Sequence, residues 1–405
     1  MREKAIIKCE ETGQKQLLRF VQQLNSKEEQ ELYQQILETD FSVITNSVKG
    51  SQERGMISPI EAMKLDEIKE QKDIFLKMGT QAIQKGEVAA VLLAGGMGTR
   101  LGCEGPKGTF SIGETRELTI FQCLIHNLLD VVAQTMSYVH LFIMTSDKNH
   151  DTTVKYFEEN DYLGYSKEHL HFFRQEMAPA TDKEGKIFLE EKNKLATSPN
   201  GNGGWYSSLV HAGYKELFLS EGIKWLNVFA VDNVLQRIAD PLFIGATIHT
   251  GKSSGAKVIR KISPDEKVGV MCLEDGQPSI VEYYELTDEM KTAKNENGDL
   301  AYEFGVILNY LFQVEILNKI SNDSMPLHVV EKKIPFIDEK GEKVKPLEVN
   351  GYKYETLILD MIHLCPDALV YEVERDKEFA PVKNATGTDS VISARELLKK
   401  NNISL

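Results

Sequence analysis

The chain has 405 residues, 41% of them hydrophobic and 27% charged, and 47 basic against 61 acidic side chains give a formal net charge of −14. A surface that acidic argues against nucleic-acid or anionic-membrane partners, although a few local cations and backbone donors still outweigh it at a phosphate. The length suits a large catalytic unit with a smaller appendage, so we expect a helical region over residues 1–86 and a catalytic domain over 87–405.

Five scattered cysteines without a Cys-x-x-Cys pair point to a reducing compartment rather than a disulfide framework. The nine histidines show no metal-ligand spacing. The apolar run from Val88 to Ala94 is too short to span a bilayer, and no apolar stretch follows Met1-Arg2-Glu3-Lys4. A cytoplasmic location is expected.

From the N-terminus, Leu17, Leu18, Phe20, Val21 and Leu24 form a helical stripe. Ser26-Lys27-Glu28-Glu29 reads as a capping box opening a helix that buries Leu32, Tyr33, Ile36 and Leu37. A third helix is expected from about Ser58 to Lys85, closed by Gly86. From Glu87 the pattern changes. Strands are expected at Val88 to Leu93, Val139 to Thr145, Trp225 to Val231 and Ala256 to Ile262, with helices at Leu118 to Ala133 and Val154 to Asn160. Such alternation predicts an α/β domain with a mostly parallel sheet. Val268 to Glu285, turning at Gly276, reads as an antiparallel hairpin, so the sheet should be mixed. The polar run Lys291 to Asp299 reads as a surface loop and Ile337 to Lys345 as a hairpin tip.

The strongest chemical signal is Leu93-Ala94-Gly95-Gly96-Met97-Gly98-Thr99-Arg100-Leu101-Gly102, followed by Pro106-Lys107-Gly108. It directly follows an apolar strand, and ligands of parallel sheets bind beyond the carboxyl ends of strands. Glycines let backbone amides approach a phosphate, and Arg100 and Lys107 add two cations. The third glycine falls too late for a dinucleotide fingerprint, and the Gly-Lys-Ser/Thr of a P-loop is absent. A purely structural turn does not account for so many glycines beside two cations. We therefore take Leu93, Gly95 and Gly96 as part of a nucleotide site.

These motifs resemble the signature of the UDP-sugar pyrophosphorylase family, most closely its eukaryotic UDP-N-acetylglucosamine type. The segments FFRQEMAPA, PNGNGGWY, VDN, DPLFIG, GAKV, VEYYE, KKIPF, NGYK and EFAPVKNA match in order, from about residue 65 to the C-terminus. The resemblance implies a GT-A-like, Rossmann-related mixed sheet flanked by helices, with the N-terminal helices as an appendage. It implies transfer of uridylyl from UTP to a sugar 1-phosphate, N-acetylglucosamine 1-phosphate first, with Mg2+ (or Mn2+) as cofactor. Lys107 would neutralise the nucleotide phosphates, Arg100 would grip the departing pyrophosphate, and Lys353 and Lys383 would contact sugar and nucleotide phosphates. Gln175 and Gly201 would meet the uracil, Asn202 the sugar with its acetamido group, and Glu282 the sugar hydroxyls. Asp232 would hold the metal. A single carboxylate with waters and phosphate oxygens is the usual magnesium arrangement.

Two departures qualify the resemblance. Val306 stands where the family has a sugar-contacting asparagine, and an unpaired hydroxyl there would cost about 1–3 kcal/mol. The family type also continues beyond the region of Ser393-Ala394-Arg395 into a further domain. Glucose 1-phosphate specificity, or a broad UDP-sugar pyrophosphorylase, is the alternative. A non-catalytic nucleotide-sugar sensor is disfavoured because it need not keep Arg100.

Overall fold

The apolar run beginning at Val88 forms the strand Val88–Leu93, buried at every position. It lies between parallel neighbours, His140–Thr145 and Trp225–Ala230, with Val91 opposite Phe142 on one side and Val228 on the other. A strand paired on both edges and covered on both faces has no solvent side, so its sequence carries no polar alternation. Leu170–Arg174 continues the parallel set past His140–Thr145. Beyond Trp225–Ala230 the direction reverses: Phe304–Gln313 pairs antiparallel with it, and Ser254–Arg260 pairs antiparallel with Phe304–Gln313. The sheet has ten strands and is mixed, as expected.

This computed structural model describes residues 1–47, 54–320 and 325–405. They divide into two compact units. One holds the described residues within Arg54–Gln175, Trp205–Ser324 and Leu359–Leu405, and it contains the ten-stranded sheet. In its core, the helix Ile120–Thr135 buries Phe121, Leu124, Leu128 and Val131. Thr119 opens that helix through a capping box with Gln122. The helix Lys72–Gln84 ends where Gly86 adopts φ +72°, as its sequence predicts. It crosses the helix Pro241–His249 backbone on backbone. A Cβ on Gly79 would stand 1.8 Å from the Pro241 carbonyl oxygen, and one on Gly245 the same distance from that of Phe75. The expected hairpin is present as Val270–Glu274 and Gln277–Val281, its two-residue turn formed by Asp275 at φ +50° and Gly276 at φ +82°.

The other unit gathers the described residues within Met1–Glu53, Glu176–Gly204 and Met325–Ile358. Its helices Arg2–Glu11 and Ser26–Glu38 share a buried cluster with Ile187, Leu189, Leu195 and Ile337. A small antiparallel sheet joins Thr181–Asp182, Gly351–Glu355 and His328–Lys332. Phe336–Ile337 and Lys343–Val344 form the hairpin expected around the charged run.

Four expectations for the N-terminal region need correction. The cap of Ser26–Glu38 is Asn25, whose Oδ1 accepts from the Lys27 and Glu28 amides while Glu28 closes the box. Asn and Ser are equally good caps, so composition alone could not place the start. The stripe from Leu17 to Leu24 forms two short 3₁₀ turns, Lys15–Leu18 and Val21–Gln23, although Leu17 and Phe20 are buried. The expected third helix is split. Ile57–Pro59 pairs with Val270–Glu274, and helices follow at Leu65–Glu70 and Lys72–Gln84. Ser58 precedes proline, which disfavours helical backbone there. Finally, residues 65–84 pack in the unit that contains the large sheet rather than with the N-terminal helices, so the chain does not divide at residue 86. Among the described residues, no helix is long and apolar enough to cross a membrane.

Candidate active site

The parallel strands Val88–Leu93, His140–Thr145, Leu170–Arg174 and Trp225–Ala230 end on one edge of the sheet. Three of them, Val88–Leu93, Leu170–Arg174 and Trp225–Ala230, continue into a segment that carries a candidate residue. After Leu93, the Ala94 amide donates to the Met144 carbonyl, and the glycine loop begins. The loop is a closed structure: the Gly98 amide donates to the Gly105 carbonyl and the Lys107 amide to the Gly96 carbonyl. Sequence reasoning missed its main brace. Asn149 is fully buried, donates through Nδ2 to the Ala94 and Gly96 carbonyls at 2.9 and 3.2 Å, and accepts the Ser146 amide at 2.8 Å. An asparagine before the helix His150–Glu159 would be read as an N-cap, yet its side chain makes no capping bond there.

Gly95 and Gln175 meet at this edge. The Gln175 amide donates to the Thr145 carbonyl at 2.7 Å, and its side chain is 7% exposed. A Cβ on Gly95 would stand 3.1 Å from Gln175 Oε1. Gly96 has open space around it, with nothing within 4 Å of such a Cβ. Arg100 is exposed in the turn Thr99–Leu101, which Leu101 anchors in the core, and it makes no ion pair with the described residues. These features leave backbone and cation accessible to an anion.

Lys107 and Asp232 come together across 125 positions of sequence, with Lys107 Nζ 2.6 Å from Asp232 Oδ1. The lysine side chain is 12% exposed and the carboxylate 36%, so the pair sits at a rim rather than in the core. Asp232 also fixes a second candidate: its carbonyl accepts the Val382 amide at 2.8 Å, which seats Lys383 beside it. The Lys383 ammonium lies 3.4 Å from Asp389 Oδ2.

Glu282 follows the strand Gln277–Val281, and its amide donates to Glu285 Oε2 at 2.9 Å. Burial, reinforced by the charge of Glu285, pushes its carboxyl above the usual range against the pull of Lys383 and Arg54. Val306 shares this neighbourhood. A Cβ on Gly269 would stand 3.3 Å from Val306 Cγ2 and 3.6 Å from Glu282 Oε2.

The remaining candidates, Gly201, Asn202 and Lys353, belong to the unit that holds the N-terminal helices. Gly201 has φ +85°, and a Cβ there would stand 2.2 Å from the Thr356 carbonyl oxygen, so only glycine fits. Asn202 Oδ1 accepts the Ile358 amide at 3.0 Å, which ties this turn to residues 356–358. Lys353 lies on Gly351–Glu355, paired with Val330.

No group of three His, Cys, Asp or Glu side chains gathers as a metal cage among the described residues. Asp232 is a lone carboxylate at the strand edge beside the glycine loop. That suits a hard cation that keeps most of its coordination for phosphate oxygens and water.

Comparison with known proteins adds sequence evidence. A family model described as UTP–glucose-1-phosphate uridylyltransferase matches residues 37–404. The chain is 38% identical over 320 residues to mouse UDP-N-acetylhexosamine pyrophosphorylase-like protein 1, covering 77% of this chain and 63% of that protein. It is 35% identical over 405 residues to UDP-N-acetylglucosamine pyrophosphorylase of Saccharomyces cerevisiae, covering 93% and 85%. The structure is similar, with a TM-score of 0.82 and 27% identity, to the uridine diphosphate N-acetylglucosamine pyrophosphorylase of Trypanosoma brucei in complex with inhibitor, covering 98% and 84%.

Proposed function

The chain belongs to the UTP–glucose-1-phosphate uridylyltransferase family, and on that premise we propose that it joins UTP to N-acetylglucosamine 1-phosphate, releasing pyrophosphate. The observation that carries this reading is the meeting of Lys107, Asp232 and the Lys383 segment beside the glycine loop.

A phosphate oxygen of the sugar 1-phosphate, already anionic at neutral pH, attacks the α-phosphorus of UTP. The bond from that phosphorus to the bridging oxygen breaks, and pyrophosphate leaves with its electron pair. No general base is needed, so the protein's work is alignment and charge. Lys107 turns from Asp232 toward the nucleotide phosphates and neutralises them. Arg100, exposed on its turn, holds the departing pyrophosphate. Lys383 steadies the incoming phosphate, and Gln175 offers both donor and acceptor to the uracil edge. For Gly201, Asn202 and Lys353 we keep the roles of base, acetamido and phosphate contacts, and for Glu282 that of accepting from sugar hydroxyls. Asp232 would hold Mg2+ or Mn2+, which when bound supplies charge neutralisation to the phosphates. Five free cysteines, four of them buried, support a reducing, cytoplasmic setting.

Val306 favours a second reading of the sugar alone. Its methyls, which border Gly269 as the Glu282 carboxylate does, offer no hydrogen bond, so glucose 1-phosphate or a broader range of sugars fits the same chemistry. Pyrophosphate release from UTP with a panel of sugar 1-phosphates, with and without Mg2+, tests both. Turnover with N-acetylglucosamine 1-phosphate supports the first reading and preference for glucose 1-phosphate the second. UTP binding without turnover on any sugar would leave only the sensor.

A further inference from the structure

The residue after Asp232 has no role in the chemistry above, yet it is 3% exposed and uses its whole side chain. Asn233 Nδ2 donates to the Glu378 carbonyl at 2.7 Å, and Oδ1 accepts the Ala380 amide at 2.9 Å. Its backbone forms an antiparallel bridge with Pro381. On either side, the Val382 amide donates to the Asp232 carbonyl at 2.8 Å and the Val234 amide to that of Ala380 at 3.3 Å. One amide side chain thus grips a segment 145 positions away by both its donor and its acceptor. That segment ends at Lys383.

The base of the segment is anchored too. Glu378 Oε2 accepts from Lys257 Nζ at 2.6 Å and from the Arg237 amide at 3.1 Å. Lys257 is fully buried. Residues 378–382 are therefore held at both ends, by the buried lysine below and by Asp232 above. The two backbone bonds that flank the Asn233–Pro381 pair complete the bridge, and the Asn233 side chain adds two more, to the Glu378 carbonyl and the Ala380 amide, which the bridge leaves unused.

We infer that Asn233 is a positioning residue: it clips the 378–383 segment to the strand end that carries Asp232, and so sets where the Lys383 ammonium stands. This inference rests on the proposed phosphate role of Lys383. A half-exposed lysine with four rotatable bonds reaches many positions, and its backbone placement, together with the Asp389 carboxylate 3.4 Å from Nζ, narrows them. A displacement of about 1 Å in a phosphate contact can cost on the order of a hundredfold in rate.

The experiment is a double-mutant cycle on the full chain with UTP, N-acetylglucosamine 1-phosphate and Mg2+, combined with amide hydrogen exchange. Asn233→Ala should lower kcat/KM by roughly ten- to a hundredfold. In a Lys383→Ala background the same substitution should lower it less than about twofold, because the residue through which it acts is gone. Exchange at the Val382 amide should quicken in Asn233→Ala while the strand Trp225–Ala230 keeps its protection. Asn233→Asp retains the acceptor for Ala380 but not the donor to Glu378. It should fall between the native chain and the alanine variant, and it serves as the test variant if alanine prevents folding. Additive losses in the cycle, or unchanged Val382 exchange, overturn the inference. If Lys383→Ala is itself without effect while Val382 exchange quickens, the clip stands and the proposed role of Lys383 falls.

Discussion

Lys257→Met is expected to destabilise the protein strongly, with a characteristic pH dependence. Lys257 lies on Ser254–Arg260 with a side chain 0% exposed, 3.0 Å from Asp240 Oδ2 and 2.6 Å from Glu378 Oε2. The carboxylates are 4% and 14% exposed. At an effective dielectric near 20, each contact represents about 5–6 kcal/mol of attraction, most of it offset by the desolvation of the ions. Removing the cation leaves the desolvation of the carboxylates in place. Arg237, 3.3 Å from Asp240 through Nε, and its amide on Glu378 compensate only in part. We expect a loss of about 3–5 kcal/mol.

The pH dependence follows from the same geometry. Burial already raises the Glu378 carboxyl, despite the pull of Lys257. For Asp240 burial acts in the same direction, but Lys257 and Arg237 together hold it low. Without Lys257 the Glu378 carboxyl would rise further above its unfolded value, and that of Asp240 would move up from its lowered one. Groups raised on folding give stability that is present below the unfolded value and lost as pH rises through the folded one. The deficit of the variant should therefore grow from pH 5 to pH 8. Urea unfolding at the two pH values can be followed by the fluorescence of Trp205 and Trp225, the two tryptophans of the chain, both buried. A deficit below about 1 kcal/mol at pH 8, or one that grows toward pH 5, would refute this account.

Lys107→Ala should lower kcat by about 10²–10³ while unfolding stability moves by no more than about 1 kcal/mol, since the pair with Asp232 is partly exposed. Steady-state turnover beside thermal melting checks both, and unimpaired turnover would remove Lys107 from the chemistry. Gly245→Ala forces a Cβ to within 1.8 Å of the Phe75 carbonyl oxygen. The two helices must separate, and we expect a loss of about 1–3 kcal/mol or more. An unchanged melting temperature would contradict the backbone contact. His171 should make the protein less stable in acid. Burial, with the charges of His140 and His169, holds its imidazole down to about 4 from an ordinary 6.5. The unfolded chain therefore takes up a proton between those values that the folded one refuses, and stability falls as pH drops through that window. His171→Phe should flatten the fall, and melting curves between pH 7 and 4 with an unaltered slope would count against it.

Some elements were legible because a local pattern was sufficient. Val88–Leu93 announced itself by an unbroken apolar run, the hairpin turn by Gly276, and the helix end by Gly86. The glycine loop was legible for the same reason: its glycines and cations are close in sequence, and it follows a buried strand. Where local signals were weak or duplicated, expectation and structure diverged. Arg2–Glu11 buries only Ala5 and Cys9, too sparse a stripe to be noticed, and Asn25 stands beside an equally good cap.

The sequence by itself thus determined the α/β character, the loop and the family to which its motifs point. Only the tertiary structure decided which distant groups meet. Lys107 reaches Asp232 across 125 positions, Lys257 reaches Glu378 across 121, and Asn233 grips a segment 145 positions on. It also decided that segments 176–204 and 325–358 join the N-terminal helices in one unit. Periodicity and capping are written in neighbours a few residues apart. Ion pairs and buried amides depend instead on where whole elements pack, and no local pattern records that.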